Sequence, residues 1–467
     1  MLELIKNLRD KVRPDAGTPW SDSELRAWIS KLIAEIDHLV GSQLAAIIND
    51  PKFQRLEASW RGVRVLTEES SSYRNIKIRL LDISWERLAK DLDRANDFDQ
   101  SFLFQRVYSD EFGMPGGEPF GILLGDYYVS HKPSAAQRTD DVAALKQIAQ
   151  VAAAAFCPFI CSASPALFGL DSFQEINSTI DFGKIFNSQE YIRWRSLRDM
   201  EEARFLGIAL PDVVLRQPYD KQELAQKGLF FESKDKGASL SSHLWGNAAI
   251  ALGAVIVREF GNHSWFSTIK GVIPERLDGG LVTAFPSVSQ AVLNDNFSNH
   301  CVPVVITDRA ERELAELGFM TLCHCYGSPY AAFFSNTSLK SVGFINQKES
   351  RANARVSAML QQILCASRIA HYIKAIVRDK IGTFQSGKDC ERVISEWLRK
   401  YTTGRSDLSL ELRAKYPLRD FRVEIREVLQ KPGVYACLIH LKPHYIADNL
   451  STDIRLTTEL VPANNAA

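Results

Sequence analysis

The chain has 467 residues, 45% of them apolar and 24% charged, with 56 basic residues balanced by 56 acidic ones. That length exceeds one ordinary core, and the apolar share excludes a disordered or fibrous chain, so two or three domains are expected. The balance of charge excludes a general electrostatic grip on nucleic acid, and eight cysteines in so long a chain do not make a disulfide framework.

Leu4, Ile5, Leu8 and Val12 share one face of a short helix that Pro14 and Gly17 end. Charges interrupt this start every two or three residues, unlike the apolar run of a signal peptide. The longest apolar stretch, Ile148 to Cys161, contains Gln150 and Pro158 and falls short of a membrane span. A reducing cytoplasm is therefore the expected compartment, without membrane insertion. Ser21-Asp22-Ser23-Glu24 is a capping-box pattern that opens a longer helix. Its stripe runs from Leu25, Trp28, Ile29 and Leu32 through Ile36 and Val40 to Ile48, roughly seven turns. The stripe requires cover, supplied either by the downstream domain or by another subunit. Asn49-Asp50-Pro51 closes the helix.

The middle of the chain alternates between the two periods. Asn75 to Ile83 reads as a half-buried strand, with Ile76, Ile78 and Leu80 between Lys77 and Arg79, and Trp85 to Phe98 as a helix. Phe120 to Asp126 predicts a buried strand ending in a Gly-Asp turn, followed by a helix over Asp140 to Ala155 and a strand over Phe159 to Ala163. Strand, helix and strand at this spacing form a βαβ unit, hence a parallel or mixed sheet covered by helices. The pattern returns as a helix over Leu244 to Phe260, a strand over Val302 to Thr307, a helix over Arg309 to Leu317 and a strand over Thr321 to Cys325.

Beyond residue 350 the apolar positions Val356, Met359, Ile363, Ala366, Ala370, Ile373 and Val377 step by three and four, with Gly382 at a C-cap position. Leu360, Leu364 and Ile369 widen the stripe, which favours packing into a core over a helix pair. A second helix spans Glu391 to Tyr401, and strands follow at Phe421 to Arg426, Val434 to Leu441 and Asp453 to Leu460. The fold class is α/β (mixed α+β). It comprises a helical N-terminal arm over 1–60, a central mixed-sheet domain over 61–350, a C-terminal helix-plus-strand domain over 351–460, and a tail over 461–467.

Few motifs invite chemistry. Cys323-His324-Cys325 would suit a thiol nucleophile with a histidine base, but strand neighbours point to opposite faces, so Cys323 and His324 cannot meet. The two cysteines share a face and offer two zinc ligands, whereas a structural site needs about four. A buried strand with small polarizable side chains explains the triplet; a thiol- or zinc-dependent enzyme is the alternative. Ser386-Gly387-Lys388-Asp389 lacks the remainder of a phosphate loop, and no dinucleotide fingerprint exists, so no cofactor is expected. His371, Arg378, Asp379 and Lys380 read as a solvated cluster or structural ion pair at a helix end. Trp60 of Trp60-Arg61-Gly62 reads as a core or interface anchor. The last strand, over Asp453 to Leu460, either docks at home or lends itself to another chain; the residues alone favour docking at home.

Three distant stretches carry a resemblance: Pro51-Lys52-Phe53-Gln54-Arg55-Leu56-Glu57-Ala58-Ser59-Trp60-Arg61-Gly62; Glu316 to Cys325 running on to Tyr330-Ala331-Ala332-Phe333-Phe334; and Ser367-Arg368-Ile369-Ala370-His371-Tyr372 with Arg378-Asp379-Lys380-Ile381-Gly382. Together they resemble the large subunit of the bacterial type VI secretion contractile sheath, the TssC/VipB-like family. The resemblance implies a mechanical assembly protein, not an enzyme. Its implied partners are a small sheath subunit (TssB-like), neighbouring protomers, an inner tube protein (Hcp-like), a baseplate and a AAA+ disassembly ATPase (ClpV-like). It also implies that Ile454, Arg455, Leu456, Thr457, Thr458 and Leu460 interlace with a neighbour, and that Leu4, Ile5, Leu8, Trp28 and Ile29 lie on contact helices. The arm before Ser21 is shorter than the family's usual arm, which sets this chain apart in ATPase recognition.

Overall fold

The computed structural model describes residues 21–112, 114, 116–134, 137–176, 180–219, 240–273, 276–288, 300–343, 354–380, 387–405, 409–427, 435–443 and 454–460. The chain divides into two compact units, residues 1–56 with 218–242, and residues 57–217 with 243–467. The expected arm helix at Leu4, Ile5 and Leu8, its Pro14 and Gly17, and the Gly382 cap lie outside the described residues.

The first unit contains helix α1 (Asp22–Ile48). Ser21 Oγ accepts the Glu24 N–H, and Glu24 Oε2 accepts the Ser21 N–H at 2.9 Å, so two orphan donors of the first turn are satisfied reciprocally. The Ser21 hydrogen bonds hold the Glu24 carboxyl below its usual range. Asn49 ends the helix, and Asp50 Oδ1 accepts from Lys52 N at 2.8 Å and Phe53 N at 3.2 Å to start α2 (Pro51–Ser70). Pro51 sits where a missing N–H costs nothing. Residues 57–70 of α2 belong to the second unit.

The second unit is built on a six-stranded sheet in the order β1-β2-β3-β7-β8-β6. Its strands are β1 (Leu123–Val129), β2 (Phe159–Ala163), β3 (Leu206–Leu210), β6 (Leu281–Val282), β7 (Phe319–His324) and β8 (Ala331–Phe333). β1, β2, β3 and β7 run parallel, while β8 and β6 continue antiparallel. Helix α3 (Trp85–Arg94) precedes β1, and α4 (Asp141–Ala155) links β1 to β2 as the βαβ pattern requires. Asp140 caps α4 through Ala143 N, and the buried Asp141 carboxylate accepts from Trp85 Nε1, Ser130 N, Gln137 Nε2 and Thr139 Oγ1 at 2.7–2.9 Å. Four donors fill the acceptor positions of that buried carboxylate.

The main core joins Val142, Leu145, Ile148 and Ala152 of α4 to Phe159, Ile208 and Phe319 of the sheet. It extends into a cluster of rings, Phe168, Phe182 and Phe186 from the segment containing α5 (Phe182–Asn187), and Trp194 from α6 (Ile192–Asp199). Ring centroids 5.1–5.9 Å apart give the edge and tilted contacts that aromatic quadrupoles favour. The strands β4 (Val213–Arg216) and β5 (Leu244–Gly246) pair antiparallel and lead into α7 (Ala248–His263). A smaller core, Leu66, Ile250 and Ala254 with Val65, Ile78 and Leu124, packs α2 on α7. Helix α8 (Asp308–Glu316) precedes β7 and is capped by Thr307.

The C-terminal part holds α9 (Leu360–Lys380), α10 (Gly387–Arg399), α11 (Leu410–Lys415) and a three-stranded antiparallel sheet ordered β11-β10-β9. Its strands are β9 (Leu418–Glu427), β10 (Tyr435–Pro443) and β11 (Ile454–Leu460). Val423, Cys437, Ile439 and Leu441 alternate inward onto Ile369 and Ile373 of α9 and Ile394 and Leu398 of α10. The mixed α/β class stands.

Four expectations are corrected. Asn75–Ile83 belongs to no strand, because among the described residues no backbone ladder reaches it. The strand expected at Phe120–Asp126 is Leu123–Val129, running through Gly125-Asp126. Gly125 serves close packing, since a Cβ there would sit 2.6 Å from Phe159 Cζ. Leu244–Gly246 is a short strand, with α7 starting at Ala248 behind the Asn247 cap. Val302–Thr307 forms no strand: Thr307 Oγ1 is used to cap α8, and residues 301–304 bend.

Candidate assembly surfaces

The Trp60-Arg61-Gly62 stretch lies on α2, and its three side chains have three fates. Trp60 is 62% exposed, so its reading as a core anchor is withdrawn. Arg61 Nε donates to Glu57 Oε1 at 2.8 Å, and the same carboxylate accepts from the buried Arg216 at 2.8 and 3.3 Å. Burial makes that ion pair costly to leave half-made, which fixes β4 against α2. Gly62 is buried where α2 crosses α7, and a Cβ there would overlap Ile250 Cδ1. Ser59 Oγ donates to Asp126 on β1.

Cys323 lies buried in β7, where burial pushes its thiol well above the ordinary cysteine range. Its Sγ donates to Thr321 O at 3.8 Å. Cys325 is half-buried and shifted the same way, and Cys301 is pushed up to about 12, chiefly by burial. His324 turns toward His300, ring centroids 4.7 Å apart, and His300 Nδ1 lies 2.9 Å from Val302 O. Thiols held in the protonated form are poor nucleophiles and poor ligands. Among the described residues no group of three or more His, Cys, Asp or Glu side chains is placed to hold a metal ion.

His371 is not part of a solvated cluster. It is buried, with Nε2 2.9 Å from the Ala155 carbonyl at the end of α4, and burial lowers its pKa to about 4. A neutral ring donating from Nε2 satisfies that helix-end carbonyl. One turn on, Lys374 Nζ sits 4.8, 4.9 and 5.3 Å from the ring centroids of Phe156, Phe112 and Tyr108. Desolvation lowers its pKa to about 8. The periodicity placed both residues on one helix, but the rings that enclose them come from segments more than two hundred residues away.

Two surfaces suit assembly. Along α1, Trp28 is half-buried while Ile29, Ile33, Ile36, Val40 and Ile47 are exposed. At the other end, β11 pairs with β10 from Tyr435↔Leu460 to Leu441↔Ile454, placing Ile454, Arg455, Leu456, Thr457, Thr458 and Leu460 on the outermost strand of a three-stranded sheet. No helix among the described residues is long and apolar enough to cross a membrane.

Known proteins supply the remaining evidence. The EvpB/VC_A0108 tail sheath N-terminal domain model (VipB) matches residues 30–340, and the EvpB/VC_A0108 tail sheath gpW/gp25-like domain model (VipB_2) matches residues 349–460. The type VI secretion system sheath protein TssC1 of Pseudomonas aeruginosa is 36% identical over 442 residues, covering 94% of this chain and 87% of the relative. Among solved structures, the anti-feeding prophage (AFP) baseplate aligns with 82% of this chain and 83% of that chain at 10% identity and a TM-score of 0.37. The sheath tail protein of Desulfitobacterium hafniense aligns with 72% of this chain and 57% of that chain at 10% identity and a TM-score of 0.33. Likeness at such scores carries no argument. Two family matches that span both halves of the chain, joined by a relative at 36% identity along 94% of it, make this chain a member of the VipB tail-sheath family, a contractile sheath subunit of the type VI secretion kind and not an enzyme.

Proposed function

We propose that this chain pairs with a smaller sheath subunit (TssB-like) in the cytoplasm, and that the pairs stack with neighbouring protomers into a cylinder around an inner tube (Hcp-like), seated on a baseplate. The work of contraction is the free-energy difference between two lattices of the same subunits, summed over many copies, so no nucleotide enters the stroke. A AAA+ ATPase (ClpV-like) would recycle the contracted form, with Leu4, Ile5 and Leu8 the candidate handle. The observation that carries the reading is the outermost position of β11, which among the described residues is joined to its sheet through β10 alone. A backbone ladder of this kind transfers between chains without new side-chain chemistry, because main-chain N–H and C=O groups make its hydrogen bonds. The exposed Ile29, Ile33, Ile36, Val40 and Ile47 of α1 support the smaller subunit as a cover for that helix, which also carries Trp28, and the exposed Trp60 supports a further contact.

The test is co-expression with the co-encoded smaller subunit, followed by negative-stain imaging. Hollow cylinders are expected. Deleting Asp453 to Leu460 is expected to leave the pairs intact and abolish the cylinders. Cylinders that persist after the deletion would refute strand exchange, and a failure of the two chains to associate at all would refute the pairing.

A further inference from the structure

The segment Ser264–Thr268, which follows α7, joins the two family-matched halves. Ser264 turns the chain with a left-handed backbone, φ 63°, a conformation that residues other than glycine rarely adopt. The residues after it belong to the first half and bind the second. Trp265 is buried in edge contacts with Tyr372 of α9 and with Tyr401, ring centroids 6.3 and 5.2 Å apart. Phe266 N–H donates to Cys365 Sγ, Ser267 O accepts from Gln361 Nε2, and Ser267 Oγ donates to Ala414 O at 3.3 Å. Thr268 ties the segment back to α7, because its N–H donates to Glu259 Oε1 at 2.9 Å.

Glu259 is 2% exposed, and its other oxygen, Oε2, lies 3.2 Å from His263 Nδ1, one helical turn on. Among the described residues these two groups are its hydrogen-bond partners, and His263 is the one cation within reach. A carboxylate this buried is costly without a cation beside it. The other charged and titratable groups about the pair are Glu69 and Tyr73 of α2, Arg258 of α7, Asp278, and Cys365 and Arg368 of α9. Arg258 turns its guanidinium to the Gly279 and Leu281 carbonyls, at 3.0 and 2.7 Å. Arg368 lies over the Phe260 and Tyr372 rings, 5.5 and 4.5 Å from their centroids. Neither takes the place of the imidazolium. The hydrogen bond to Glu259 holds His263 above its ordinary 6.5 against the effect of burial, helped by the charges of Glu259 and Asp278. A neutral ring can still donate from Nδ1, but it leaves the buried carboxylate without a counter-charge.

We propose that Glu259 and His263 form a proton-operated latch on the Ser264–Thr268 segment, closed while the imidazole is charged and loosened when it is neutral. The folded ring holds its proton more tightly than the unfolded one. The latch therefore contributes fully below about pH 6.5 and is lost as pH rises past the raised folded value. His371, buried and neutral, acts in the opposite sense, so the two effects fall on opposite sides of neutrality. The experiment is hydrogen exchange on the full chain across this range, each rate divided by that of the unstructured peptide at the same pH. Protection of the peptide spanning Trp265–Thr268 is expected to fall about threefold or more between about pH 6 and about pH 8.5. His263→Gln keeps a donor but carries no charge, and is expected to show the lower protection throughout, without the step. Exchange of the His263 ring C2 proton in the unaltered chain, read by mass spectrometry, requires no variant and is expected to show a midpoint above 6.5. A flat profile in the unaltered chain, a step that survives in His263→Gln, or a ring midpoint at or below 6.5 would each overturn the latch.

Discussion

Replacing Gly62 by alanine sets two effects of opposite sign against each other. Alanine in a helix interior is worth about 0.5–1 kcal/mol over glycine. The new Cβ, however, overlaps Ile250 Cδ1 across the α2–α7 crossing, and overpacking a filled site costs about 1–3 kcal/mol. The overlap wins, for a net loss of about 1–2 kcal/mol. Ile250→Val alone loses a buried methyl at about 0.5–1.5 kcal/mol, but it removes the offending atom. The remaining Cγ1 and Cγ2 lie 3.3 and 3.4 Å from the Gly62 Cβ position, tight but tolerable. The double variant is therefore expected to lose less than the sum of the two single losses, by about 1–2 kcal/mol. Native-state hydrogen exchange at Ala254, Val255 and Ile256 reads the opening of this crossing directly, without requiring the whole chain to unfold in one step. A neutral or stabilising Gly62→Ala, or an unchanged cost in the Ile250→Val background, would refute the close-approach argument.

Further outcomes follow from the buried titratable groups. Folded His371 stays neutral down to about pH 4, while the unfolded ring takes a proton near its ordinary 6.5. Its contribution is thus complete above about pH 6.5 and is lost as pH falls toward 4, amounting to about 3 kcal/mol. His371→Gln keeps a donor for Ala155 O and does not titrate, so its unfolding midpoint should lose this part of the pH dependence; an unchanged acid limb would be contrary evidence. Among the thiols, half-buried Cys325 should be alkylated first at neutral pH, while Cys157 and Cys161 should react only on unfolding. Peptide mapping after iodoacetamide would report this, and rapid labelling of Cys323 would revive a reactive-thiol reading.

Local signals in the sequence located helices and strands, and their failures have a common physical cause. Ser21 with Glu24, the Ala-rich run from Asp140 to Ala155, and the three-and-four stepping from Val356 to Val377 each encode a helix within its own span; the structure starts these helices at Asp22, Asp141 and Leu360. Gly125-Asp126 carried the signature of a turn, but glycine is needed there by Phe159, thirty-four residues later in sequence. β3, β6 and β8 passed unnoticed, because strands of two to five residues take their identity from neighbours across the sheet. His371 looked like part of a charged helix end, since nothing near it in sequence announces the Ala155 carbonyl. At the surfaces, a pattern states which face is apolar and not what covers it. Asn75–Ile83 has strand character without a ladder, and α1 has a core-like stripe left exposed.

The meeting of the two family-matched halves has a chemistry suited to a subunit under load. α9, in the second half, is held to the first half by His371 at the Ala155 carbonyl and by Lys374 among Phe156, Phe112 and Tyr108. Phe156 adopts a left-handed backbone, φ 50°, to end α4, and this presents its ring to the ammonium. Among the described residues no carboxylate pairs with Lys374. A buried ion pair would depend on close geometry to offset desolvation and would be left with an uncompensated charge by a small displacement. A cation over aromatic faces at about 5 Å tolerates sliding, because the attraction varies slowly across a ring and three rings share it. The sheet of β9–β11 packs on α9, α10 and Trp265, so force applied to that sheet reaches the central strands partly through this joint.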